Sequence, residues 1–275
     1  MIGGSDNLMV AYSPEARSDL PSFKPLDPKI AGGLGTRASV LVDLVYVCGG
    51  GNDTKVFGSC WTASVSGGEW TQVGNMKSPR SYHTLNTLND RRLMATGGIG
   101  KYENGNPNLL NSVEFFTKEN GWELSGFRWP QPDAKHCVLN LDKKIVLYIS
   151  GIGSQSQTEV AKINIETGTK DTLQPPSSSK GGAHYCARNG NSVFMSEQQE
   201  TGRENKVWEL SLADNDSWTQ LASVYDAEPQ GLDIIAGELY FFGIDGVQVL
   251  KNGGWHRAKP QPSVKLGEGP ALLVL

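Results

Sequence analysis

Residues 92–98 read Arg92-Leu93-Met94-Ala95-Thr96-Gly97-Gly98, a short apolar run ended by a glycine pair, and this stretch decides the fold because the chain repeats it. A doublet of this kind, or its replacement, closes a short apolar run at Gly3-Gly4, Gly49-Gly50, Gly97-Gly98, Ser150-Gly151, Ser196-Glu197 and, reduced, at Phe242-Gly243. Successive doublets lie 46 to 53 residues apart. An aromatic residue or its stand-in keeps the same beat downstream, at Phe23, Trp70, Trp122, Thr169, Trp218 and Trp255. Two independent markers with one period identify a repeat architecture, in which no single unit buries its apolar faces alone.

The third unit shows what one repeat contains. Apolar and polar residues alternate over Tyr82 to Leu88 (strand a), Arg92 to Thr96 (strand b), Ser112 to Thr117 (strand c) and Gly121 to Ser125 (strand d). Four short antiparallel strands in about 50 residues make a propeller blade. Glycine closing strand b lets backbones approach and takes positive φ without steric cost, while the tryptophan fills space between wedge-shaped sheets.

Arg80-Ser81-Tyr82-His83 opening strand a, the doublet ending strand b and the spaced Trp on strand d together resemble the kelch repeat. The resemblance covers essentially the whole chain and departs most in the later units, where Ser196-Glu197 replaces the doublet and the sixth unit has a clipped b–c connection. It implies an all-β fold, a six-bladed kelch-type β-propeller of four-stranded antiparallel blades spanning residues 1–275 as one domain. The chain opens at a strand b and closes on Pro270-Ala271-Leu272-Leu273-Val274-Leu275, which reads as a strand a. The C-terminal strand is therefore expected to complete the first blade beside Met1 to Gly4.

Composition narrows the function classes. With 33 Gly, 14 Pro and a net charge of −4, and with Lys and Arg scattered, the chain lacks the basic stripe of a nucleic-acid or anionic-membrane binder. No apolar run approaches the roughly 20 residues of a membrane span, and the N-terminus lacks a secretory leader pattern. No Gly-x-Ser-x-Gly, phosphate-binding loop or His-Glu-x-x-His motif occurs, so a non-enzyme without cofactor is expected.

His83, His136 and His184 fall at matching places near strand a of units three to five. Facing one another across a channel they would make a transition-metal set, whereas packing between blades is the plainer reading. A copper radical oxidase, also built on a kelch propeller, would need a further domain, and the four-residue Glu/Asp/His steps of the iron-dependent specifier proteins are absent.

Cys48 and Cys60 flank the b–c connection of unit two, where adjacent antiparallel strands bring Cα atoms to bridging range; bridged and free states both fit. Cys137 and Cys186 are expected to be buried free thiols. Sequons at Asn52-Asp53-Thr54 and Asn215-Asp216-Ser217, with the Cys48–Cys60 pair, favour an extracellular or lumenal setting like that of the secreted kelch proteins of invertebrates.

Propellers bind through loops around the channel, because their sheets are consumed by blade packing. The longest connection, Ile99 to Leu110, places Tyr102, Glu103 and Asn104 in a polar loop, and a second runs from Gln198 to Lys206. Arg37, Arg80, Tyr82, His136 and His184 are assigned to the opposite end, near the entrances of strands a, with Arg37 and Arg80 equally able to tie blades together. The function expected is a binding scaffold for a protein or glycan. The alternatives are a metal-using enzyme with its site in the channel, or a part of a larger assembly or adaptor.

Overall fold

The computed structural model describes residues 10–12, 22–23, 33–52, 54–88, 91–103, 105–153, 157–179, 182–198, 203–226, 229–259 and 272–274. Among them every regular element is a β-strand. Twenty of these strands form five antiparallel meanders, one for each of units two to six. Unit two comprises Arg37–Leu41, Leu44–Cys48, Ser59–Ser64 and Thr71–Asn75. Unit three comprises Thr84–Thr87, Leu93–Thr96, Ser112–Thr117 and Gly121–Arg128. Unit four comprises Cys137–Asn140, Ile145–Ile149, Val160–Asn164 and Lys170–Leu173. Unit five comprises His184–Asn189, Ser192–Gln198, Glu204–Ser211 and Ser217–Gln220, with Val224–Tyr225 added against its third strand. Unit six comprises Pro229–Ile235, Glu238–Gly243, Gly246–Lys251 and Gly254–Arg257. This is a β-propeller arrangement of five blades.

Strands a lie side by side from unit two through unit six. Leu272–Val274 lies beside strands a of both unit two and unit six, and it pairs in parallel with Val10–Tyr12. Its expected partner, Met1 to Gly4, is outside the described residues. The repeat predicts six four-stranded sheets, and five, those of units two to six, are present among the described residues.

Strand b sits inside each sheet and is covered on both faces, which explains its unbroken apolar runs, Leu44–Cys48 and Ile145–Ile149. Successive sheets share cores. Tyr46, Cys60, Leu85, Leu93 and Trp122 fill the gap between units two and three. Met94, Trp129, Val146 and Tyr148 fill that between three and four. Leu147, Ile149, Met195 and Trp208 join four to five, and Ala187, Val207, Leu232 and Phe241 join five to six. The spaced tryptophans also tie neighbours by hydrogen bonds. Trp218 Nε1–H donates to the Gln174 carbonyl (2.9 Å) and Trp255 Nε1–H to the Ala222 carbonyl (2.8 Å), each in the preceding unit's span.

The doublets act at the seams between blades. Gly97 has φ +59°, and a Cβ there would lie 2.5 Å from the Asp133 carbonyl oxygen and 2.6 Å from His136 Cε1. At Gly49 (φ +67°) a Cβ would meet the Arg80 oxygen at 2.3 Å and His83 Cε1 at 2.8 Å. Gly49 and Gly97 thus press on the residues entering strand a of the following unit, while Gly98 and Gly151 press on those entering strand a of their own, at Ser81 and Ala134.

Candidate functional site

In a four-stranded meander the b–c turns lie at the same end as the entrances of strands a. The sequence reading placed Tyr82 and Tyr102 at opposite ends, and the structure corrects this: both line one cleft of about 250 Å³, with Leu34, Gly51, Asn52, Val56 and Ser81. The connection from 99 to 110 is also not an irregular loop. Ile99–Glu103 and Asn106–Leu109 form an antiparallel hairpin, for which Asn104-Gly105 was the sequence signal. The second long connection narrows likewise, with Glu197 opposite Lys206 and Gln198 opposite Asn205.

The cleft is held open by backbone that is set in place from both sides. Tyr82 has φ +52°; its N–H donates to the Gly35 carbonyl and its carbonyl accepts from the Lys135 N–H, each at 2.8 Å. The Lys135 ammonium stands 4.9 Å from the centre of the Tyr82 ring, a cation–π contact. Tyr102 is 55% exposed on the hairpin, and Glu103 beside it pairs with Lys101. Asn104 lies outside the described residues.

Arg80 is not at the surface. It is fully buried, with Nη2 on Glu114 Oε1 (2.7 Å) and Nη1 on the Gly97 carbonyl oxygen (2.6 Å). Burial lowers the pKa of its guanidinium and Glu114 opposes that shift. The same Glu114 carboxylate accepts the Lys77 and Ser78 N–H groups. The Arg80 side chain is therefore a tie within unit three, while its backbone N–H donates to the Phe57 carbonyl and its carbonyl accepts from the Gly50 N–H of unit two.

The histidines are taken up separately at the seams, and no group of three or more metal-ligating side chains occurs among the described residues. His136 Nε2 meets Thr96 Oγ1 at 2.9 Å, and His184 Nδ1 meets the Ser150 carbonyl oxygen. Burial, reinforced by Arg80 and Arg37, pushes the His83 pKa well down. Burial likewise brings His136 down to about 4 despite Asp133 nearby.

Asp133 was missed from the sequence. Its Oδ2 accepts Tyr148 O–H and Gly151 N–H, and its Oδ1 accepts Ala134 N–H and Gly153 N–H, at 2.7 to 2.8 Å. Asp226 repeats the device at the next-but-one seam, accepting Ile244 and Asp245 N–H at 3.0 Å. The signal was an aspartate at one spacing before two different strand-b ends.

Strands a of all five sheets line a central cavity of about 240 Å³, which includes Arg37, Asn86, His136, His184, Tyr185 and Asp233. Arg37 enters it half-buried, its pKa lowered by burial. Both cysteine pairs are at bonding distance. Cys48 and Cys60 face each other in register with Cα atoms 4.2 Å apart. Cys137 and Cys186, expected as free thiols, are also bridged, with Cα atoms 6.1 Å apart across strands a of units four and five. The ring packing that brings adjacent strands a together supplies the geometry that chain separation hides. Asn52 and Asn215 are exposed in turns; Asn52 Oδ1 accepts the Thr54 and Lys55 N–H groups, and Asn215 has φ +48°.

No family model matches the chain, and no curated protein matches it. Among solved structures it is similar to that of YjhT, with a TM-score of 0.70 over 88% of each chain at 15% identity. At that identity the likeness is one of fold, a propeller.

Proposed function

We propose that the chain is a kelch-type propeller that acts as a non-catalytic scaffold, binding a protein or glycan partner at the cleft between units two and three. The observation that carries this reading is the pairing of a preset aromatic, Tyr82, with an exposed one, Tyr102, across one concave surface. Amphipathic aromatic rings contribute large contact area at low entropic cost, which suits them to recognition surfaces. A non-glycine residue at positive φ is retained where the surroundings over-determine it, as they do for Tyr82.

Six blades, with the first closed by the C-terminal strand, fit the same reading. Leu272–Val274 lies between the strands a of units two and six. The outward cores of those units, Val45 and Val47 in one and Phe242 and Val247 in the other, are themselves buried. The two cysteine pairs and the exposed sequons favour an oxidising, extracellular or lumenal setting.

The test is capture from source extracts with the full chain, comparing the native protein with Tyr102→Ala and with a variant whose 100–109 hairpin is shortened. A partner retained by the native chain and lost by both variants supports the proposal. Retention by both, with stability unchanged, refutes the cleft. A metal-using enzyme in the channel is the second reading; stoichiometric copper, iron or zinc in the purified protein, lost in His83→Ala, would replace the first.

A further inference from the structure

The central cavity contains a charge that the described protein groups do not match. Arg37 is the one arginine among the residues lining it, and Asp233 is the one carboxylate. Arg37 donates from Nη1 to the neighbouring Thr36 carbonyl at 3.0 Å. Among the described residues no carboxylate faces its guanidinium, and the groups acting on it are the phenols of Tyr82 and Tyr185. A guanidinium stays charged at any physiological pH, so desolvating it without a counter-charge is costly. Asp233 does not serve as that counter-charge. Its pKa is raised by burial, opposed by the Ile234 N–H at 2.8 Å and by no cation.

Asn86 donates its amide N–H to the Val138 carbonyl oxygen at 2.8 Å, and its Oδ1 is shielded from solvent, so that side chain is committed to the strands around the cavity. The cavity therefore offers one cationic fork, Arg37, and one acidic acceptor, the Asp233 carboxyl, in a space smaller than the roughly 300–1,000 Å³ of drug-sized pockets.

We infer that the channel is a binding site for a small hydroxylated carboxylate, with its carboxylate on Arg37 and a hydroxyl group donating to Asp233. A single guanidinium matches a single negative charge, and Asp233 in the same cavity disfavours a dianion such as phosphate. Arg37 also acts on His136, holding its pKa down. An anion seated on Arg37 offsets that charge and raises the His136 pKa. The Tyr82 phenol acts on Arg37 and also lines the cleft, but the channel site stands if the cleft has no partner.

Calorimetric titration of the full chain with gluconate, neutral glucitol and inorganic phosphate tests the inference, with the His136 imidazole followed by NMR. Gluconate binding, no glucitol binding, an upward move of the His136 titration and a loss of about tenfold or more in Arg37→Gln, eased in Arg37→Lys, are expected. Glucitol or phosphate binding as tightly as gluconate, or an absence of gluconate binding, overturns it. Should Arg37→Gln fail to fold, the ligand comparison and the His136 signal in the unaltered chain decide the matter alone.

Discussion

Arg80 Nη2 and Glu114 Oε1 lie 2.7 Å apart with neither side chain exposed to solvent, and Arg80 also holds the carbonyl oxygen of Gly97. One ion pair thereby ties the entrance of strand a in unit three to its glycine doublet and to its third strand. Removing one partner leaves a buried charge uncompensated, so Glu114→Ala and Arg80→Ala are each expected to cost about 3–5 kcal/mol. Urea unfolding measures the loss. A double Arg80→Met, Glu114→Leu replacement should cost less than the sum of the single changes, and additivity would contradict the pairing.

The glycine doublets make a graded prediction. Gly97→Ala combines positive φ with a Cβ 2.5 Å from backbone oxygen, whereas Gly121→Ala, at φ +70°, meets nothing within 4 Å. The second change should cost about 1–2 kcal/mol from backbone conformation alone. The first should cost clearly more, as read from paired thermal melts.

His136 gives the stability a sign in pH. Its folded pKa of about 4 lies below the ordinary imidazole value of 6.5, so the folded form binds fewer protons than the unfolded one. Its contribution is full above about pH 6.5 and is lost as pH falls from there through about 4, a total on the order of 3 kcal/mol. The buried His83 shifts in the same direction. Urea midpoints between pH 7 and pH 4.5 should fall steadily, and His136→Asn should flatten that fall. An undiminished slope in the variant would argue that other groups govern it.

The two disulfides should differ under reduction. Cys137–Cys186 closes a separation of 49 residues and Cys48–Cys60 one of 12, for which loop-closure entropy gives about 4 and about 3 kcal/mol respectively. Cys137→Ser with Cys186→Ser should therefore lower the melting temperature more than the Cys48/Cys60 double serine. Non-reducing peptide mapping checks both pairs directly.

The blades were legible in the chain because their markers are local. The alternation over 84–87 and 112–117 and the turn after each apolar run depend on residues close in sequence. Cys48 and Cys60 were within reach for the same reason, as neighbours on adjoining strands. Cys137 and Cys186 were not, because their strands meet only through the packing of one blade on the next. Arg80 and Arg37 could not be told apart in the sequence. One is neutralised by Glu114, thirty-four residues away, and the other faces the channel without a carboxylate partner among the described residues.

By itself, the sequence determined a period, four strands to a unit and a histidine entering strand a in units three to five, since these follow from steric and hydrophobic patterning along a short span. Tertiary structure decided that Tyr82 and Tyr102 share a cleft, that Cys137 bonds Cys186 and that Arg37 faces the channel with no carboxylate partner among the described residues. Each of those outcomes depends on which strands the blade packing sets side by side, and that proximity is a property of the assembled sheets.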